Sequence, residues 1–416
     1  MELLKNNKKL IISILITAIV FVRCDLGIVK NSYVMYLNVL VDGLAILYCI
    51  YLFLEDRELT LKALLNPAIL WLVVFGGLMF AYGHFGFRTA ANYFSRQYML
   101  LTMVPPVLIL IMLWHLQDEI LSILTRVSCV IIPAFFITVP LYDPDIHDWA
   151  MGEFSRIGQT PAGTSIDTGR LYLLMMIPVL YQVIIKREFK KYSWAVIMAV
   201  VGILLTGSKS ALFPVVFVFA IMVLGSSADR QTLYKRLGLV AVLAVVGLIL
   251  CMKIPFLYDI IGNRIEELFF GVQTTEYDLH NSTGQRMAVI AAFKEHFWET
   301  PILGHGWYSF KEMPYSQLEE YKENGVVMYR NIQIHMNYFE LLFDMGILGF
   351  IAYYWFPVKL VIDSVLTHDK EAKLLGLSYL TAFFFIDLGL DMYYKYMTPY
   401  FVYLVVYILI RRSKKA

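Results

Sequence analysis

The amino-acid sequence predicts an all-α, polytopic integral membrane protein, and three observations carry that expectation. Of 416 residues, 59% are hydrophobic and 16% charged, where an ordinary soluble domain has roughly 25% charged residues. The apolar residues gather in runs near the length a bilayer-crossing helix needs, about 20 residues. Lys and Arg collect in alternate connections between those runs, the asymmetry that orients membrane helices. A formal net charge of +2 provides no bulk basic surface for nucleic acid, so that class of partner is excluded.

Taken in order, the chain starts with Lys5, Lys8 and Lys9 ahead of an apolar run. A signal peptide begins the same way, but no small-residue cleavage site follows and further spans do, so the start is expected to be a first transmembrane helix. About twelve spans are expected at this length scale: 10–29, 34–54, 66–83, 98–116, 120–141, 170–185, 193–207, 209–225, 238–253, 345–363, 375–391 and 397–411. No internal repeat interrupts them, and residues 1–416 are taken as one membrane domain. The 4 cysteines, Cys24, Cys49, Cys129 and Cys251, lie in apolar stretches without a CxxC pair, which suits buried small side chains better than a disulfide or metal site.

The basic connections hold Arg57 and Lys62; Lys186, Arg187, Lys190 and Lys191; Arg230, Lys235 and Arg236; and Lys370 and Lys373. With the two basic tails they are assigned to the cytoplasm. The other side receives 83–97, 142–169, the turn Thr206-Gly-Ser-Lys-Ser210 and the long polar loop 254–344 between the ninth and tenth spans. Chemistry there has no cytoplasmic nucleotide to draw on, and no GxxxxGK[ST] loop is present. A substrate would arrive already activated on a lipid.

Several residues on that side have chemical potential. Asn281-Ser282-Thr283 predicts a helix start, and Arg286 just inside it opposes the helix dipole, a conflict that an anionic ligand removes. Helix N–H groups plus a guanidinium form a phosphate site. The competing assignment for Arg286 is an ion pair with Glu266, Glu267 or Asp278. His335 stands at the end of the loop, before the helix that re-enters the bilayer; it suits a general base at neutral pH or, more plainly, a surface helix cap. Glu340 and Asp344 are one turn apart beyond it, placed to support it.

Lys209 is a cation between two apolar spans, either functional or snorkelling to the interface. Arg156 and Arg170 are further anion ligands, and Arg88 and Arg96 suit a lipid headgroup. In Pro301-Ile-Leu-Gly-His-Gly-Trp307, the glycines permit close approach to a ligand and the aromatic faces of Trp307 and Tyr308 permit stacking on sugar rings. His305 is either a base or ligand, or a turn residue. The Asp143–Asp148 cluster with His147 resembles a metal site only loosely, and no metal or other cofactor is expected.

Taken together, Thr206-Gly-Ser-Lys-Ser-Ala-Leu212, Gly284-Gln-Arg286, Pro301 to Trp307, and His335 followed by Asp344-Met-Gly346-Ile-Leu-Gly349 resemble the O-antigen polymerase and O-antigen ligase superfamily of bacterial membrane glycosyltransferases. The resemblance spans 202–351 by motif and the remainder by topology. It departs at Lys209, where the family usually has arginine, and at Met336, where it often has asparagine; here Asn337 comes one place later. The resemblance implies a metal-independent, inverting transfer of glycan from undecaprenyl diphosphate to an acceptor hydroxyl, on the outer face of the bacterial cytoplasmic membrane. Arg286, Lys209, Arg170 and Arg156 would hold the diphosphate, and His335 would ready the acceptor. Glu340, Asp344, His305 and Trp307 would support the site.

The leading expectation is a polymerase that joins lipid-linked repeats into capsule, exopolysaccharide or O-antigen, with a flippase and a chain-length regulator as companions. A ligase using the same donor but another acceptor is the alternative. A lipid-linked oligosaccharide transporter is the third; such folds usually show internal repeats and broken helices in both halves, whereas here the polar residues concentrate in one loop.

Overall fold

The computed structural model describes residues 2–24, 32–85, 89–151, 156–160, 164–227, 230–262, 265–266, 282–307, 309–310, 313, 317–323, 326–331, 334–389, 393 and 397–414. Helices α1 (Glu2–Cys24), α2 (Ser32–Glu55), α3 (Arg57–Leu64), α4 (Pro67–Phe85), α5 (Thr89–Trp114), α6 (Ile120–Tyr142) and the short α7 (Ile146–Ala150) come first. Then follow α8 (Ser165–Ile184), α9 (Phe189–Thr206), α10 (Lys209–Gly225) and α11 (Arg230–Lys253). In the long loop stand α12 (Ser282–His296) and two strands, β1 (Gln317–Glu323) and β2 (Val326–Asn331). The chain closes with α13 (Asn337–Leu366), α14 (Lys370–Ile386) and α15 (Thr398–Ser413).

Each expected apolar span overlaps a helix, with 25–29 and 390–391 of the expected spans lying outside the described residues. Among the described residues, 5 helices are by themselves long and apolar enough to cross a membrane, and 6 spans result if α3 and α4, bent by 49°, count as one. The count of twelve remains the expectation from sequence. The strands pair antiparallel, Gln317 opposite Asn331 and Glu323 opposite Val326. An open two-stranded sheet has unpaired edges that water, but not hydrocarbon, can satisfy.

In α8 every residue from Thr168 to Tyr181 is buried, and in α15 the run Pro399–Val406 is too; helices apolar all round belong in the middle of a bundle. Trp71 of α4 anchors the core, stacking on Phe356 of α13 at 4.9 Å and meeting Tyr400 and Tyr403 of α15, while its indole N–H donates to the Ala352 carbonyl at 3.0 Å. In contrast, Leu40, Leu44, Leu47, Val242 and Val245 point outward from α2 and α11, faces that hydrocarbon would cover.

The connections gather at two ends. At one, Lys9 meets Glu119 at 2.9 Å and Lys5 meets it at 3.7 Å, Lys8 pairs with Glu55, and Arg412 pairs with Glu371 at 2.8 Å. Both tails and the basic connections near 57 and 370 therefore share that end. Helix α6 starts there beside Glu119 and, 23 residues later or about 35 Å along its axis, delivers Asp143 to the other end, where the candidate residues lie.

Candidate functional site

The turn between α9 and α10 is enclosed on several sides. Helix α9 stops at Gly207, in the left-handed conformation at φ 55°, where a Cβ would lie 2.7 Å from the Ile260 carbonyl oxygen. Only glycine combines that φ with that approach. The Ile157 N–H donates to the Leu205 carbonyl at 2.9 Å, Gly169 of α8 abuts Thr206 and Ser208, and Gly389 beyond α14 abuts Ser210. Thus Arg156, Arg170 and Lys209, scattered in sequence, stand on segments that meet at one turn.

These cations are held differently. Lys209 is the first residue of α10 and is half-buried. Arg156 is half-buried, its Cβ against the Gly207 backbone. Arg170 is 4% exposed and paired with Asp167, whose carboxylate also accepts from the Thr164 N–H at 2.7 Å to close a capping box. An anion reaching Arg170 would compete with Asp167. The Arg156 segment is pinned by buried Asp143, which accepts from the N–H groups of Gly158, Gln159 and Asp145. The Asp143 carboxylate is thus a loop fastener.

His335 is exposed, with a backbone φ of 55°. Besides Arg187 it is the one non-glycine among the described residues at positive φ, a conformation of the kind that concentrates at functional sites. Both sides of it are tied down. The Ile334 N–H donates to the buried Glu340 carboxylate at 3.1 Å, and the Asn337 N–H donates to the Asp387 carbonyl at 2.8 Å. Glu340, expected to support the histidine, therefore fastens the backbone just before it. The Asn337 side chain donates to the Tyr354 hydroxyl and accepts from the Tyr393 N–H, each at 2.9 Å. Tyr354 in turn donates to the Asp387 carboxylate at 2.6 Å, and Gly389, two residues on, abuts Ser210 of the cation turn. The His335 segment and the cation turn thus share residues 387–389 as a common wall.

Pro301 to Trp307 serves another purpose than the sequence suggested. Helix α13 breaks at Gly346 (φ 62°, ψ −167°), and the turn docks into the break. The N–H groups of His305 and Gly306 donate to the carbonyls of Phe343 and Asp344 at 2.8 and 2.9 Å, and those of Ile347 and Leu348 donate back to Pro301 and Ile302 at 2.9 and 3.1 Å. The glycines permit approach to another stretch of backbone, where approach to a ligand was expected. Trp307 is 2% exposed and packs in the core, which corrects its expected place as a sugar platform. His305 stacks on Phe343 at 4.1 Å, with Nε2 3.5 Å from Glu299. Asp344 accepts from the Ser309 N–H and hydroxyl and from the Tyr393 hydroxyl. It locks the turn to the helix.

Arg286 is the fifth residue of α12 and half-buried. Val289 and Phe293, on the same helical face, form a small apolar cluster with Phe310, Ile334 and Phe343; the Phe293 and Phe339 rings lie 4.7 Å apart. Arg286 stands one turn before that cluster, and His335 directly follows Ile334, so one apolar patch is flanked by both. Helical side chains lean toward the N-terminus, which carries the guanidinium back toward the start of α12. Of the alternative partners of Arg286, Glu266 accepts from the Tyr258 hydroxyl, while Glu267 and Asp278 lie outside the described residues, as do Arg88 and the side chain of Arg96, the expected headgroup contacts.

Sequence reasoning missed Asp387, Tyr393, the partners of Asn337 and the fastening role of Asp143. Asp387 had a usable signal, a carboxylate at the end of the apolar run Phe383-Phe-Phe-Ile386, since intramembrane charges are costly and tend to be functional. Residues 194–354 match the family described as O-antigen ligase, in keeping with the motif resemblance to the O-antigen polymerase and ligase superfamily. That stretch holds Lys209, Arg286, His305, Trp307, His335, Glu340 and Asp344; Arg156, Arg170 and Asp387 lie outside it. That stretch is what the chain has in common with the family. No curated protein matches the chain significantly.

Proposed function

From the match of residues 194–354 to the O-antigen ligase family, we propose that the protein is a metal-independent, inverting glycosyltransferase. It polymerises undecaprenyl-diphosphate-linked repeat units on the outer face of the cytoplasmic membrane. The observation that supports this most is that Arg286 and His335 flank one apolar cluster at the end of the bundle where Lys209, Arg156 and Arg170 also stand. The acceptor hydroxyl oxygen attacks the anomeric carbon of the donor sugar, the bond from that carbon to the phosphate oxygen breaks, and undecaprenyl diphosphate leaves with the electron pair. Arg286 and Lys209, backed by Arg156 and Arg170, neutralise charge gathering on the leaving diphosphate. His335 takes the hydroxyl proton; its place in an exposed, backbone-strained turn keeps the imidazole at the surface where an acceptor arrives.

Ligation to a separate acceptor is the second reading, favoured by the description of the matching family itself. Both share the donor half of the site and differ only in what occupies the side facing His335. Membranes incubated with purified lipid-linked repeat separate them: polymerisation gives a ladder of chain lengths on a gel, and ligation gives a single product that requires an added acceptor. Lipid translocation that continues in Arg286→Ala and His335→Ala while transfer is lost keeps the enzyme reading. Loss of translocation with polymer length intact replaces it with transport.

A further inference from the structure

At the opposite end of the bundle, α3 and α4 meet at an angle of 49° and, with α5 and α15, leave a groove of about 630 Å³ lined by Glu58, Leu61, Lys62, Leu65, Trp114 and Arg411, among others. The volume falls in the range of roughly 300 to 1,000 Å³ usual for ligand sites. The bend is built into the chain: Asn66 accepts from the N–H groups of Ala68 and Ile69 at 2.8 and 3.1 Å, starting α4 in a new direction as soon as α3 ends.

We propose that this groove binds the headgroup of an anionic glycerophospholipid, its phosphodiester between Lys62 and Arg411 and its acyl chains along the outward apolar face of α3 and α4. Three observations argue for an amphipathic anion. First, the two cations stand beside a stacked aromatic wall, Trp114 on Tyr407 at 6.2 Å and 16°, so charge and apolar surface adjoin. Second, Leu65, which lines the groove, is 81% exposed, and Leu54 and Leu70 on the adjoining helices are exposed too, as expected where hydrocarbon covers the protein. Third, the neighbouring Arg412 is drawn away to Asp369 and Glu371, whereas Arg411 is exposed and lines the groove. Basic pockets between transmembrane helices at a Lys- and Arg-rich end suit anionic lipid headgroups. Glu58 pairs with Lys62 at 2.5 Å and restrains the site's charge, so an anion draws Lys62 away from it. The inference depends on the membrane assignment and not on the proposed transferase chemistry.

The test is lipid binding to the purified, detergent-solubilised protein, followed by native mass spectrometry and by the melting temperature as lipid is added. Phosphatidylglycerol should bind and raise the melting temperature, and phosphatidylcholine should do neither. Lys62→Ala and Arg411→Ala should each weaken binding about fivefold, as removing one cation near anionic lipid does. Glu58→Gln should tighten it, and Lys190→Ala, a charge lost elsewhere at the same end, should leave it unchanged. Equal binding of the zwitterionic lipid, or wild-type affinity in both cation variants, overturns the proposal. Competition by soluble glycerol phosphate at equal concentration also overturns it, because the site would then read phosphate and not lipid. Lys62 is exposed, so its variant tests the proposal even if Arg411→Ala proves unstable.

Discussion

At the scale of single residues, His335 carries the most information because its chemistry and its backbone point the same way. A non-glycine residue in the left-handed region costs about 1–2 kcal/mol, and here the ties at Ile334 and Asn337 hold it there. His335→Ala and His335→Gly are both expected to slow transfer by about 100- to 10,000-fold, yet His335→Gly should melt at or above the wild-type temperature because it relieves the strain. Activity surviving in either variant would remove the base assignment. Asp143 works by another route: its carboxylate accepts from three N–H groups. Asp143→Ala orphans those donors at a cost of about 1–3 kcal/mol each where they stay buried. It should lower the melting temperature and weaken the apparent affinity for lipid-linked donor, by freeing the segment that carries Arg156.

At the scale of elements, the break in α13 decides the shape of the long loop. A Cβ on Gly346 would lie 2.3 Å from the Ile302 carbonyl oxygen, and its φ suits glycine, so Gly346→Ala must expel the 301–307 turn or unfold the break. We expect a loss of several kcal/mol, about 1–3 from backbone strain alone, seen as a large fall in melting temperature and loss of transfer. Asp344→Asn should be milder, since an amide keeps one acceptor. The same loop carries a pH response. The hydrogen bond between His296 and Glu299, at 2.7 Å, is the main cause that holds the Glu299 carboxyl below its ordinary range, with the His305 imidazole 3.5 Å from its other oxygen. A depressed folded pKa means this tie is present above the ordinary glutamate range and is lost as pH falls through the folded value. Loosening of the 296–305 region, followed by hydrogen exchange, is therefore expected on acidification and should be absent in Glu299→Gln.

At the scale of the whole molecule, the two ends of the bundle have different tasks. One binds its basic connections to acidic partners such as Glu119 and Glu371; the other gathers cations and His335 around the ends of α6, α8, α9, α13 and α14. We propose that the second end faces outward. Single cysteines placed at Trp298 and Lys190, both exposed, in a background lacking native cysteines should then react with a membrane-impermeant maleimide on whole cells at 298 and not at 190. The reverse labelling would invert the topology and move the chemistry into the cytoplasm. Helix positions were legible from the sequence because apolar runs mark the segments that water disfavours, whereas the burial of α8 and α15 on every side comes from the neighbours packed around them. The cation set was legible as residue types, and the resemblance grouped Arg156, Arg170, Lys209 and Arg286, but long stretches of chain separate them and only the fold shows that the segments of Arg156, Arg170 and Lys209 meet at one turn.

By itself the sequence determined that this is a helical membrane protein, where its apolar helices lie, and which cations and histidine to suspect. Composition and hydropathy decide those matters, because hydrocarbon and water sort side chains without regard to their neighbours. Only the tertiary structure decided that Glu340 ties the backbone before His335, that Asp344 locks the 301–307 turn to α13, that Asn337 and Asp387 join the His335 segment to the end of α14, and that the glycines of the 301–307 turn and Gly346 interlock. Those roles depend on hydrogen-bond partners far apart in the chain, as Asp344 with Tyr393 and Asn337 with Asp387. A carboxylate or a glycine looks the same in sequence whether it meets a ligand or another turn of the same protein.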